Sequence, residues 1–278
     1  RLLARFAGEK ITFGQGMTND LVGWRAHYEN DCVRFSACTD LAREETRIGI
    51  PGGFSLYNAL AALCAVQALG VPLRALAEAL QDCTGVKGRC EVVPIQAPFT
   101  VIIDYAHTPD GLKNILSTVG TFADGRVIAL FGCGGDRDKS KRPLMARIAA
   151  KNADFVVLTS DNPRTEDPYA ILRGALPGLL AERTPFAVIE ERRRAIAFAL
   201  EEGHAGDVIV LCGKGHETYQ EIGTTKYHLD EREVVRECFA REQRKEAAQA
   251  AKENEHEDHH RLYSELRGIR DHGEISGS

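Results

Sequence analysis

Four short polar stretches hold most of the side chains in this sequence that could do chemistry. They are Asp104-Tyr105-Ala106-His107-Thr108-Pro109, Gly132-Cys133-Gly134-Gly135-Asp136-Arg137-Asp138 (followed by Lys139, Lys141 and Arg142), Ser160-Asp161-Asn162-Pro163-Arg164, and Gly213-Lys214-Gly215-His216-Glu217. Charge is concentrated in all four, and the default partner of a chain of this composition is a small molecule. Each stretch also has a plain structural reading. Gly132 to Gly135 could be a tight strand-to-helix turn, and Asp161 and Asn162 before Pro163 are ordinary turn formers. His107 and His216 could each be a hydrogen-bonded structural histidine, and neither has a second His or Cys at metal-ligand spacing, so no zinc is expected. Arg164 is demanded by no turn. The phosphate-cradling sequence G-x-x-x-x-G-K-[ST] occurs nowhere in the chain.

The elements around these stretches predict how they would be placed. From Arg89 onward five apolar runs alternate with helical stretches: 101–104, 127–131, 155–159, 186–189 and 208–211. Continuous apolar strands separated by helices predict an α/β fold with a Rossmann-like, mostly parallel sheet covered on both faces. Ligands bind outside the carboxyl ends of such strands, and four of the five runs end in the polar stretches above. Thr108-Pro109 and Asp167-Pro168 each read as a helix cap followed by a first-turn proline. Earlier in the chain, Ile11-Thr12-Phe13 and Val33-Arg34-Phe35-Ser36 read as strand pieces. An apolar helix from Phe54 to Leu69 reads as buried and too short for a membrane span, and a second helix ends near Asp82. Thr84 to Gly88 reads as a linker. From Ala240 to Arg261 no side chain larger than Ala stands at apolar positions, which predicts a solvated helix or a disordered tail, with His256, His259 and His260 on a solvated face and not in a metal site.

A chain of 278 residues can hold two compact units, and 44% hydrophobic with 27% charged residues is ordinary globular composition. The net charge of −5 and the lack of a long basic run give no reason to expect nucleic acid or a membrane surface as partner. Eight scattered cysteines without a C-x-x-C pair read as reduced thiols of a cytoplasmic protein. The chain opens on Arg1 in sequence that reads as mid-domain, which predicts a fragment.

The four polar stretches, in this order and together with Lys141-Arg142-Pro143, resemble the Mur ligases. Within that family they are most similar to the branch that adds meso-diaminopimelate to UDP-N-acetylmuramoyl-L-alanyl-D-glutamate in peptidoglycan synthesis. The resemblance runs from about Gly52 to Glu233. It implies that residues 1–88 are the end of a central ATP-binding domain and 89–240 the carboxy-terminal Rossmann-like amino-acid-binding domain, with 241–278 a charged tail. It also implies ATP and Mg2+ as cofactors of the complete enzyme and a monomer acting on small molecules.

Carried over residue by residue, the resemblance implies that Arg89 meets the nucleotide phosphates and Asp104 the ribose. His107 shares that nucleotide-facing motif, and Asn58 lies near the adenine. Ser55 departs from the family pattern, which usually has a second asparagine there. Arg137, Asn162, Arg164, Gly213 and Glu217 match residues that hold diaminopimelate, with Asp161 supporting the Arg164 loop. Diaminopimelate carries two carboxylates and two ammonium groups, which suits guanidinium forks and a carboxylate such as Glu217. The implied reaction phosphorylates the glutamate side-chain carboxylate with ATP, after which the incoming amine attacks the acyl phosphate. No catalytic residue and no metal ligand is assigned within these 278 residues, and the chain by itself is expected to be inactive. The alternatives are a related ligase for another amino acid, lysine-adding or folylpolyglutamate synthase-like, against which Asp161-Asn162-Pro163-Arg164 argues, or a non-catalytic ligand-binding module.

Overall fold

The computed structural model describes residue 8 and residues 10–241. The charged tail expected over 241–278 lies, from residue 242 on, outside the described residues.

The first part of the chain forms a four-stranded sheet in the order β1 (Phe13–Gly14), β2 (Leu21–Tyr28), β3 (Val33–Cys38), β4 (Arg43–Ile48). Strands β2 to β4 run antiparallel, and β3 shows why: Val33, Phe35 and Ala37 are buried while Arg34 points outward. Only β3 was legible beforehand, apart from the edge of β1. In β4 four of six residues are charged, and only Thr46 and Ile48 face the core. Helices α1 (Gly53–Gln67) and α2 (Leu73–Gln81) cover the sheet, with Leu56, Leu60, Leu63 and Leu73 in one core with Phe35 and Ile48. The Thr46 hydroxyl donates to the Ala77 carbonyl at 2.6 Å and ties β4 to α2.

Helix α1 corrects one expectation. It is not buried all round: Leu56, Ala59, Leu60 and Leu63 are buried, while Phe54, Tyr57 and Val66 are exposed. A helix lying on one sheet buries one stripe at helical spacing, whatever the composition of its other face.

The second part forms a six-stranded sheet, ordered β5 (Glu91–Val92), β6 (Thr100–Asp104), β10 (Val208–Cys212), β7 (Val127–Cys133), β8 (Phe155–Ser160), β9 (Phe186–Val188). Only β5 is antiparallel, so the expected Rossmann-like α/β fold is present. Every residue of β7 and β10 is buried, because α3 (Pro109–Val119), α4 (Lys141–Asn152), α5 (Pro168–Leu180) and α6 (Arg192–Glu201) cover the sheet. The anticipated caps form: Thr108 accepts from the Gly111 N–H, and Asp167 from the N–H groups of Tyr169 and Ala170. The chain leaves a gap between β6 and β7 that β10 fills last, which sets the loops after β6, β10, β7 and β8 side by side. A hairpin, β11 (Tyr219–Ile222) and β12 (Thr225–His228), follows β10; none of its residues is buried, so it carries no alternating pattern to read. Among the described residues no helix is long and apolar enough to cross a membrane.

The end of the expected linker is pinned. Gly88 is buried at φ 74°, and a Cβ there would lie 2.1 Å from the His216 backbone nitrogen. Arg232 donates to Glu91 Oε1 at 2.8 Å and to the Gly215 carbonyl at 3.0 Å, clamping the 88–91 turn onto the loop after β10.

Candidate functional site

A cavity of about 300 Å³ opens at the carboxyl ends of β6, β7, β8 and β10. The loop after β8 forms one wall. Asp161 and Asn162 are buried, and Arg164 adopts a left-handed backbone (φ 52°) that costs a non-glycine residue energy. The hairpin holds it there: the Arg164 N–H donates to the Glu221 carbonyl at 3.1 Å, and its carbonyl accepts from the Gly223 N–H at 2.7 Å. Its guanidinium donates through Nη1 to the Gly135 carbonyl at 2.8 Å and pairs through Nε with Glu221 at 3.2 Å. Arg164 also lines the cavity.

The glycine turn after β7 has a role beyond turning. A Cβ at Gly135 would sit 1.8 Å from the Pro163 carbonyl oxygen, so only glycine lets the two loops cross, and the Gly135 N–H donates to the Asn162 carbonyl at 2.9 Å. Gly213, at φ 115°, lies against Asp161 in the same way, with Oδ2 2.6 Å from its would-be Cβ. Arg142, buried at the start of α4, donates to Glu166 at 2.8 Å, and Glu166 also accepts from the Asp136 N–H. That Arg142 hydrogen bond and the Asp136 N–H hold the Glu166 carboxyl at about 2.

Asn162 and Glu217 meet over Lys214. The Asn162 Nδ2 donates to Glu217 Oε2 at 3.0 Å, and Lys214 Nζ donates to Asn162 Oδ1 at 3.0 Å and to Glu217 Oε2 at 3.1 Å. Toward β6, Asp104 accepts from the N–H groups of Cys90 and Ala106, each at 2.8 Å, and burial raises its pKa above the usual aspartate value. Exposed Arg89 stacks on the Tyr105 ring at 4.9 Å, and the His107 ring packs on the same tyrosine at 4.6 Å.

The structure thus brings His107, Arg137, Asp161, Asn162, Arg164, Gly213 and Glu217 into one cavity wall, with Asp104 and Arg89 beside Tyr105. Asn58 is not in that wall; it stands on the exposed face of α1. Sequence reasoning missed the roles of Lys214, Glu221 and Tyr105. A lysine between two glycines at the end of an apolar strand was the one available signal. Cys133 lines the cavity, but burial pushes its thiol to about 12, so it is no nucleophile at neutral pH.

Residues 88–215 match the Mur ligase glutamate ligase domain, and this part of the chain belongs to that domain family. The chain is 44% identical over 241 residues (86% of this chain, 50% of the relative) to the UDP-N-acetylmuramoyl-L-alanyl-D-glutamate–2,6-diaminopimelate ligase of Clostridium botulinum. Its identity to the ligase of that name from Caldanaerobacter subterraneus subsp. tengcongensis is 51% over 208 residues, 75% of this chain and 43% of the relative. A solved structure of a ligase of the same name superposes with a TM-score of 0.71 at 35% identity, covering 84% of this chain and 48% of that one. The chain spans about half the length of the curated relatives it matches.

Proposed function

We propose that this chain is the amino-acid-binding part of an ATP-dependent ligase that joins meso-diaminopimelate to UDP-N-acetylmuramoyl-L-alanyl-D-glutamate in peptidoglycan synthesis. In this reading, residues 1–88 end a central ATP-binding domain, 89–240 form the carboxy-terminal amino-acid-binding domain, and 241–278 are an appended tail. The observation that carries the proposal is the meeting of Arg164, Asn162 and Glu217 in one cavity, which puts a guanidinium and a carboxylate in the wall of a site of the right chemistry for a zwitterionic amino acid. The relatives at 44% and 51% identity, both named for this ligation, support it.

The groups near β6 fit a nucleotide. Asp104 has lone pairs beyond its two backbone bonds for a ribose hydroxyl, and Arg89, fixed on Tyr105, offers its guanidinium to phosphates. ATP would activate the acceptor carboxylate as an acyl phosphate, with magnesium accompanying the phosphates. No residue of this chain is assigned to the metal. The part played by these residues is to hold the incoming diamine by its far end, so that its reacting amine is presented at the mouth of the cavity.

Calorimetric titration of meso-diaminopimelate and L-lysine into this chain tests the proposal. Lysine has the same amine but lacks the distal carboxylate, so it should bind markedly more weakly. Replacing Arg164 by Ala should cost diaminopimelate roughly 2–5 kcal/mol, about 30- to 4,000-fold, and cost lysine little. Equal losses for the two amino acids, or no preference in the wild-type chain, would overturn the assignment.

A further inference from the structure

We infer that Lys214 is a positioning residue of the cavity: its buried ammonium, together with the Glu221 backbone N–H, fixes which way the Asn162 side-chain amide faces, and it anchors Glu217 beside it. The inference rests on the proposed reading of the cavity as an amino-acid site. Lys214 is fully buried and does not line the cavity, whereas Asn162 and Glu217 do. The two glycines flanking it, Gly213 at φ 115° and Gly215 at φ 52°, take backbone conformations that let the strand end turn over and put a lysine inside.

An ammonium has three donors and no acceptor, so the Asn162 atom 3.0 Å from Nζ must be the carbonyl oxygen. The same oxygen accepts the Glu221 backbone N–H at 2.9 Å, a second and independent donor. With Oδ1 committed twice, Nδ2 has to face the cavity side, where it donates to Glu217 Oε2. Glu217 Oε2 is in turn used twice, by Asn162 and by Lys214, which leaves Oε1 as the atom offered to an incoming ammonium group. The Tyr219 ring, 5.6 Å from Nζ, lies to one side of the ammonium. Remove the charge and the amide loses its one charged donor, while the carboxylate loses its anchor.

The test uses this chain with Lys214→Met, Glu217→Gln and the double variant, each first checked for an unchanged circular dichroism spectrum. In the ligand-free protein, nitrogen NMR should show the Asn162 side-chain N–H pair shifted and protected from exchange in the wild type, and both features weakened in Lys214→Met, where the Glu221 N–H is left to hold Oδ1 without the charge. Titration with meso-diaminopimelate should weaken roughly 10-fold or more in Lys214→Met, the worth of a charge-assisted hydrogen bond. Adding Lys214→Met to Glu217→Gln should cost far less than the product of the single effects, because the lysine acts through that carboxylate. Unchanged Asn162 signals, or fully multiplicative losses, would overturn the inference. Should the wild type bind no diaminopimelate, the amino-acid reading falls while the NMR result still decides the role of Lys214. Should Lys214→Met fail to fold, the Lys214 ammonium signal of the wild type decides it: a slowly exchanging, hydrogen-bonded NH3+ is expected, and a rapidly exchanging one would sink the idea.

Discussion

The two sheets hold their charges in opposite ways. Around the four-stranded sheet the ion pairs stand in water: Arg34–Glu29, Arg43–Glu45 and Arg74–Glu78 all have side chains more than 40% exposed. Around the six-stranded sheet several pairs are inside, with Arg192–Glu231 at 0% on both sides and Arg142, Lys214 and Arg232 at 7% or less. Burying a charge is costly unless it is paired and hydrogen-bonded, so a fold does not collect buried pairs by chance. Here they stand where strands end and loops begin. Arg192 donates to the Ser160 and Cys212 carbonyls, the last residues of β8 and β10, and so spans the intervening β7 to link the two loops that carry Asn162 and Lys214. The first sheet relies on its apolar core; the second also uses charge to fix the edge where the cavity lies.

The largest effect follows from Arg192. Replacing it by Ala strands Glu231, whose Oε2 already lacks a partner among the described residues, and should destabilise the chain by about 3–5 kcal/mol in denaturant unfolding. The double change Arg192→Met with Glu231→Leu should cost much less, because no buried charge is left alone. If Arg192→Ala cost no more than an exposed arginine does, the contrast between the sheets would break.

Much of this contrast was readable in the sequence and part was not. The five parallel strands were plain because each is a continuous apolar run, and the loops after four of them announced themselves by glycine, proline and charge. Arg137, Asn162, Arg164 and Glu217 lie in those loops and were given a binding role by the resemblance; the fold sets them in one cavity wall. Arg192 was not legible, because three consecutive arginines at 192–194 look like a solvated helix start, and only the fold decides that the first turns inward. Strand β4 was hidden by its charges, and Glu221 by lying in a hairpin with no buried face. Asn58 has its role from the resemblance alone; it lies on the exposed face of α1, outside the cavity wall.

The next effect is read in pH. Glu166 is held at about 2 by Arg142 and the Asp136 N–H, below the 4.5 of a free glutamate. Because its folded pKa is depressed, the stability it gives is complete above about pH 4.5 and is lost as pH falls toward 2. Glu166→Gln should therefore lower the melting temperature at pH 7, and the gap from wild type should close across that acid window. A gap independent of pH would mean that Glu166 acts by shape and not by charge.

The smallest effect belongs to the first sheet and guards the comparison from the other side. Arg74 and Glu78 pair at 3.1 Å one turn apart on α2, with side chains 77% and 64% exposed. Two long side chains lose rotamer freedom to hold that geometry, water screens the attraction, and the basic residue precedes the acidic one, the less favourable order against the helix dipole. A double-mutant cycle with Ala at both positions should give a coupling barely above the error of the measurement, and this should vanish in about 1 M salt, where charges are screened within roughly 3 Å. The same cycle on Arg142 and Glu166 should keep most of its coupling in that salt, since the Arg142 side chain is only 5% exposed and few ions can reach it. Equal salt sensitivity for the two pairs would show that burial is not what separates the sheets.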